Sequence, residues 1–315
     1  KKKNFEQFYF LDVSLSKQKI WFKIGKWKLN KNLIIPAGFT LIAKEGVELD
    51  LLNSAKILSY SPLYFVGSMN SPVVVKSSDL TGQGIVVIGA GKKSKLENVI
   101  FKKLSAPKQS GWELPAAISF YESPVEISYV QFIDNHNSDD FLNIIRSKFK
   151  IEHSFFTNTF SDALDIDFSE GTILNSSFTA CGKNDSNGDC LDLSGSKVHI
   201  QNILIDGASD KGLSVGEEST MTADQILIKN TRYAVVSKDL SELNINSIDI
   251  ESSNTGFVVF KKKVQFGPAS IVVKKYTLKD VQTPYLVEKK STLILGEKMV
   301  VSKHKNIRDV LYPSE

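Results

Sequence analysis

The chain has 315 residues, 42% of them hydrophobic, and 39 Lys and Arg against 35 Asp and Glu give a formal charge of +4. That is enough apolar material for a sizeable core and too mild a basicity for a nucleic-acid footprint. No run of about 18 apolar residues is present to span a bilayer, and the opening KKKNFEQFYFLD lacks the apolar stretch and small-residue cleavage site of a signal peptide, so the first residues suit an internal point of a longer precursor with other domains.

In chain order, residues 1–32 are aromatic and amphipathic and are expected to cap the first coil of a repetitive β structure, since a stack of strands leaves apolar edges unless they are covered. From Leu33 onward, NLIIPAGFTLIAKEGVELDLLNSAKILSY, SPVVVKSSD, GQGIVVIG and SKLENVIFKKL alternate apolar and polar residues at irregular spacing. The register then becomes readable: AISFYES at Ala117, FLNIIRS at Phe141, ALDIDFS at Ala163, CLDLSGS at Cys190, GLSVGEES at Gly212, AVVSKDLS at Ala234 and GFVVFKKK at Gly256. Steps of about 22 residues separate these runs, with one longer step near the cysteines, and self-similarity on that scale marks a solenoid. Each unit carries a second alternating run, such as VEISYVQF, FKIEHSFF, VHIQNILI and LNINSIDI, so both runs have the period of a strand.

Units this short have no space for a crossover helix. One coil per repeat then buries a continuous column of Leu, Ile, Val and Phe, while each interior strand finds hydrogen-bond partners on both sides. Asn175, Asn202 and Asn246 recur either as an asparagine stack at a coil corner or as ordinary turn residues. The end of the chain, VEKKSTLILGEKMVVSKHKNIRDVLYPSE, mixes a last strand or two with a polar tail. The expected organisation is a cap over 1–32, a β-helix over 33–295 and a tail or cap over 296–315.

The segments LIIPAGFTLIAKEGVELDL and GIVVIGAGKKSKLENVIF resemble an opening segment and a coil of the right-handed parallel β-helix proteins of the pectate-lyase-like superfamily, over roughly residues 33–295. The run DALDIDFS, DCLDLSGS, DKGLSVGEES and SKDLS is also similar to β-helix modules of bacterial surface proteins. The resemblance implies an all-β, right-handed parallel β-helix. It specifies activity weakly, because the superfamily spans lyases, hydrolases, epimerases, phage tailspikes and adhesive modules.

Cys181 and Cys190 bracket the insertion GKNDSNGD. They form either a disulfide pinning that loop or two free thiols; the disulfide would place the protein in an oxidising, extracytoplasmic setting, extracellular, cell-surface or periplasmic.

The acidic strands carry the candidate site. With Leu164 and Ile166 inward, Asp165 and Asp167 must point outward, and the next coil turns Asp192 and Ser194 out. One outward column becomes Ser119, Asn143, Asp165, Asp192, Ser214 and Val236; the other becomes Tyr121, Ile145, Asp167, Ser194, Gly216, Lys238 and Phe260. With rungs about 4.8 Å apart, three carboxylates share one patch. Each raises its neighbours' pKa unless a cation intervenes. Lys211, Lys238 and Arg146 are candidate cations, as is Ca²⁺ held by Asp165, Asp167 and Asp192; Asp185, Asn187 and Asp189 alternate like part of a calcium loop. Asp140, Asp162, Asp189 and Asp210 recur just before the first strand of each unit and read as Asx turns.

Small outward residues beside the patch predict a depression through Ser214, Gly216 and Glu217, with Tyr121 and Phe260 at its ends, along which a polysaccharide could lie. The candidate catalytic residues are Asp165, Asp167, Asp192 and Lys238. The candidate ligand-binding residues are Tyr121, Asn143, Arg146, Ser194, Lys211, Ser214, Glu217 and Phe260. The Gly-His-Gly and Arg-Ile-Lys elements of polygalacturonases and the Asp-Pro-His-Asp signature of mannuronan epimerases are absent, and His136, His153, His199 and His304 all fall off the two columns. The expected function is an extracytoplasmic module that binds or processes polysaccharide. The alternatives are a structural or adhesion module whose acidic ladder sets coil register, and a uronate lyase or epimerase.

Overall fold

The computed structural model describes residues 3–183, 187–302 and 304–312. The chain is all-β, 59% strand and 2% helix, wound as a β-solenoid of about 11 turns. It divides into two compact units, residues 1–160 and 161–315. The spacing is about 24 residues rather than 22. Late coils do step by 22, as in the rows Leu213, Val235 and Phe257, but Leu164 pairs across the cysteine loop with Leu191, and Ile118 pairs with Leu142.

In the second unit, period-two alternation becomes inward columns. Leu164, Leu191, Leu213, Val235 and Phe257 stack in register, flanked by Ile166, Leu193 and Val215, all fully buried. A second face stacks Ile173, Ile200, Ala223, Ile245 and Val273, and a third stacks Phe178, Ile205, Ile228 and Ile250. The first unit is built alike. Ile57, Ile85, Ile118 and Leu142 form one inward row, and Phe101, Phe132 and Phe156 form another, with ring centroids 5.4 Å and 4.3 Å apart. Near the N-terminus, Leu11–Ser14 pairs antiparallel with Lys19–Phe22, which itself pairs parallel with Thr40–Lys44. Phe5, Phe8 and Phe10 are buried there.

Corners hold the coils in register by polar stacking. Asn175 and Asn202 adopt left-handed backbone at φ 48° and 53°, a conformation asparagine tolerates well, and Asn202 Nδ2 donates to Asn175 Oδ1 at 2.8 Å. Asn246 does not extend that stack. Ala223 pairs with Ile245 and Ile226 with Ile248, so Gln225, at φ 55°, takes the corner. A second corner is a column of serines: the N–H groups of Ser169, Ser196 and Ser219 donate to the hydroxyls of Ser196, Ser219 and Ser241 at 3.0, 2.9 and 3.2 Å. Buried backbone donors need such acceptors, and a serine on the next coil supplies each one. Cys181 and Cys190 form a disulfide. Among the described residues, no helix is long and apolar enough to cross a membrane.

Candidate functional site

The strands Asp162–Asp167 and Leu191–Ser194 pair so that Asp165 lies opposite Asp192 and Asp167 opposite Ser194. The next rungs set Ser214 against Asp192 and Gly216 against Ser194, and Ser214 against Val236. The two outward columns expected from alternation are therefore present in this unit, and the acids sit on neighbouring rungs. Asp165 is half-buried. Burial pushes its carboxyl well above the usual carboxylate range, Asp192 and Asp167 add to the shift, and Lys238 opposes it.

Behind this pair lies a second set of charges. Asp162 Oδ1 accepts the N–H of Asp189 at 2.8 Å, and Asp189 Oδ1 accepts the N–H of Lys211 at 3.0 Å. The Lys211 ammonium donates to both oxygens of Asp189, at 3.2 and 3.3 Å, and also to Asp210. These side chains are nearly sealed from water, Lys211 at 7% exposure and Asp189 at 4%. Arg232 Nη1 reaches Asp210 at 3.6 Å. Lys238 Nζ donates to Ser214 Oγ at 2.9 Å and stands 3.6 Å from Asp192 Oδ1. Burial raises the pKa of Asp189 to about 7; Lys211 works against the shift, while Asp192 and Asp210 reinforce it. Burial disfavours the charge on Lys211, but Asp189 and Asp210 outweigh it and raise its pKa. Lys238 follows the same logic, its desolvation overcome chiefly by Asp192.

Asp162, Asp189 and Asp192 each present an oxygen within 4.8 Å of the others, a spacing that a metal ion could bridge. Of the calcium-loop residues expected from sequence, Asp185 lies outside the described residues. Asp189 is one of the three, with Lys211 already on its carboxylate.

Other expected residues fall elsewhere. Phe260 is fully buried beneath Leu311 of the short C-terminal helix Arg308–Leu311 and Ile307, the residue just before it, together with Val236 and Val258, so it offers no open aromatic face. The outward column turns apolar at Val236, and the C-terminal segment covers that apolar stretch. Glu217 pairs with Lys263. Tyr121, Asn143 and Arg146 belong to the first unit, where Arg146 Nη1 donates to the Tyr121 hydroxyl at 2.8 Å and Asn143 is buried opposite Ser119. His199 Nδ1 contacts Thr222 Oγ1 at 2.9 Å, and His153 stacks on Tyr129.

Asp162, Asp210, Arg232 and Tyr312 were not anticipated as members of the cluster, and Asp189 only as part of a calcium loop. Two of the recurring aspartates, Asp162 and Asp189, accept a backbone N–H from the following coil, and Asp189 also holds the Lys211 ammonium. Their recurrence at one register, with a lysine directly after Asp210, was the available signal. Tyr312 is half-buried, with its hydroxyl lacking a hydrogen-bond partner. Desolvation raises its pKa, while Lys211 and Lys238 draw it down.

No family model matches the chain, and no curated protein matches its sequence. Among solved structures, it is similar to an alginate lyase from Paenibacillus sp. str. FPU-7, at 9% identity and TM-score 0.44 over 81% of this chain and 97% of that one. It is also similar to a periplasmic alginate epimerase, at 9% identity and TM-score 0.41 over 87% and 80% of the two chains. A third is the catalytic domain of a GH87 α-1,3-glucanase, at 12% identity and TM-score 0.39 over 90% and 64%. These are parallel β-helix folds. Fold and site together define a parallel β-helix protein with an acid–lysine cluster on one face of its second unit.

Proposed function

We propose that the protein binds polysaccharide along the face carrying Asp165, Asp167, Asp192, Ser194, Ser214 and Lys238, and processes it with Asp165 as proton donor. The observation that carries this reading is the Asp165–Asp192 pair on adjacent rungs. Burial and two neighbouring acids keep a proton on Asp165 at a pH where an ordinary carboxyl has lost it. Lys238 stands beside the partner acid. Two carboxyl groups in unlike environments are what protonation of a glycosidic oxygen and activation of water require. The half-buried Ser194 hydroxyl adds a donor and an acceptor for sugar hydroxyls. A uronate lyase or epimerase would need Lys238 or Lys211 on the substrate carboxylate. Both ammonium groups already serve aspartates, which supports the hydrolytic reading over that one.

The Cys181–Cys190 disulfide supports an extracytoplasmic setting, secreted, cell-surface or periplasmic. Ca²⁺ at these carboxylates would have to sit beside two ammonium groups, and repulsion between like charges opposes it. A chelator is therefore expected to leave glycan binding unchanged.

A structural role has its own support. Asp162 and Asp189 each accept a backbone N–H from the following coil and so set its register. Asp165→Asn separates the two readings when screened for glycan binding, product release and melting temperature. Lost binding or turnover with unchanged melting supports the processing site. A large fall in melting temperature without any ligand effect supports an adhesion or spacer module.

A further inference from the structure

We infer that the first unit holds a separate binding site for an acidic sugar, in the cavity between its outer face and a short hairpin. The strands Leu33–Ile35 and Ile57–Ser59 pair so that Ile34 lies against Leu58, and these two side chains form the apolar floor. The hairpin stands over them. Lys108–Gln109 pairs antiparallel with Trp112–Glu113, and the two residues between, Ser110 and Gly111, take φ 51° and 78°, as a tight two-residue hairpin turn requires. The hairpin is extra chain. Ile85 pairs with Ile118, a longer step than the one from Ile118 to Leu142, and the difference is spent on this excursion. A solenoid has no structural need of it.

The hairpin is anchored. Asn32 Nδ2 donates to Gln109 Oε1 at 3.1 Å, and Lys108 pairs with Glu113 at 3.0 Å across the strands. The cavity is a half-open cleft of about 400 Å³, within the range of small-molecule sites. Trp112, 39% exposed, lines it together with the amides of Asn32 and Gln109 and the Ser110 hydroxyl. Lys56 is the charged residue of this lining among the described residues, and it is only 4% exposed; its ammonium donates to the Ser54 carbonyl at 3.4 Å. An indole and an aliphatic floor match the C–H face of a pyranose, amides and a hydroxyl match its hydroxyls, and a cation shielded from water selects an anionic substituent. The ligand class that meets all three demands is a uronic acid residue.

The site uses no residue of the acid–lysine cluster, so it stands or falls independently of the function proposed above. The test is a saturation-transfer NMR titration of the whole protein with D-glucuronate, with D-glucose and benzoate as comparison probes. Saturable glucuronate binding is expected, with glucose weaker by more than about tenfold, the least that one charge-assisted hydrogen bond should give. Lys56→Met should remove the preference and Lys56→Arg keep it. Trp112→Leu, on the exposed hairpin, should weaken both sugars without lowering the melting temperature. No saturable glucuronate signal, equal binding of glucose, or tighter binding of benzoate would each overturn the assignment. So would survival of the preference in Lys56→Met, or undiminished sugar binding in Trp112→Leu, which covers the case in which the buried lysine variant fails to fold.

Discussion

Asp79 in the first unit and Asp189 in the second show what the same scaffold does with a carboxylate under opposite conditions. Desolvation of Asp79 works against its charge, yet the N–H groups of Asn53 and Thr81 and the hydroxyls of Thr81 and Ser77, all at 2.9 Å, outweigh it and lower its pKa to about 2. Asp189 is sealed among other acids and rises to about 7 despite its ion pair with Lys211. Both units bury equivalent inward columns, so the fold does not depend on which of these environments the outward and corner positions carry. Inward rows make the coil, and polar positions are free to acquire chemistry.

The contrast has a sign that can be measured. Asp79 has a folded pKa below its unfolded value near 3.8; its contribution is present above that value and is lost as pH falls toward 2. Asp189 has a folded pKa above its unfolded value, so the native state holds the extra proton. The second unit should therefore lose stability as pH rises from about 4 to about 7, and Asp165 adds a term of the same sign. Amide exchange followed separately in the two units across pH 2–8 checks this. Parallel pH profiles would break the comparison.

Substitutions sharpen it further. The largest effect is expected from Lys211→Met, which leaves Asp189 and Asp210 buried without their shared ammonium; denaturant unfolding should show a loss of about 3–5 kcal/mol. Opening the Cys181–Cys190 disulfide with Cys181→Ser and Cys190→Ser together should cost about 2–3 kcal/mol, read in the same assay. Ser196→Ala removes a hydroxyl that bonds the Ile166 carbonyl and accepts the Ser169 N–H, and about 1–3 kcal/mol should be lost. In the first unit, Glu152→Gln breaks an exposed pair with Lys150 and should change stability by less than about 1 kcal/mol.

Much of this was legible in the sequence. Period-two alternation located the strands, and the spacing of LDID and LDLS placed Asp165 opposite Asp192, because a stacked coil keeps its register wherever one face is buried. The acid–lysine cluster was harder to read. Asp162, Asp189 and Asp210 look like turn residues within a single repeat, and only the bonds of Asp162 and Asp189 to the next coil and the ion pair of Asp210 with Arg232 reveal their partners. The burial of Phe260 depends on a helix of four residues near the end of the chain, too short to carry a periodic signal. The hairpin over the first-unit cavity was hidden in a stretch with only Ser110 and Gly111 to mark a turn.

The most direct test of the stacked-acid account is an NMR titration of the aspartate side-chain carboxyl carbons. The account predicts that Asp189 titrates near pH 7 and Asp165 well above the usual carboxylate range, with Asp165 returning toward that range when Asp192 is replaced by Asn. Titration of every aspartate in the second unit below about pH 5 would show that the acids of successive rungs do not share one buried environment.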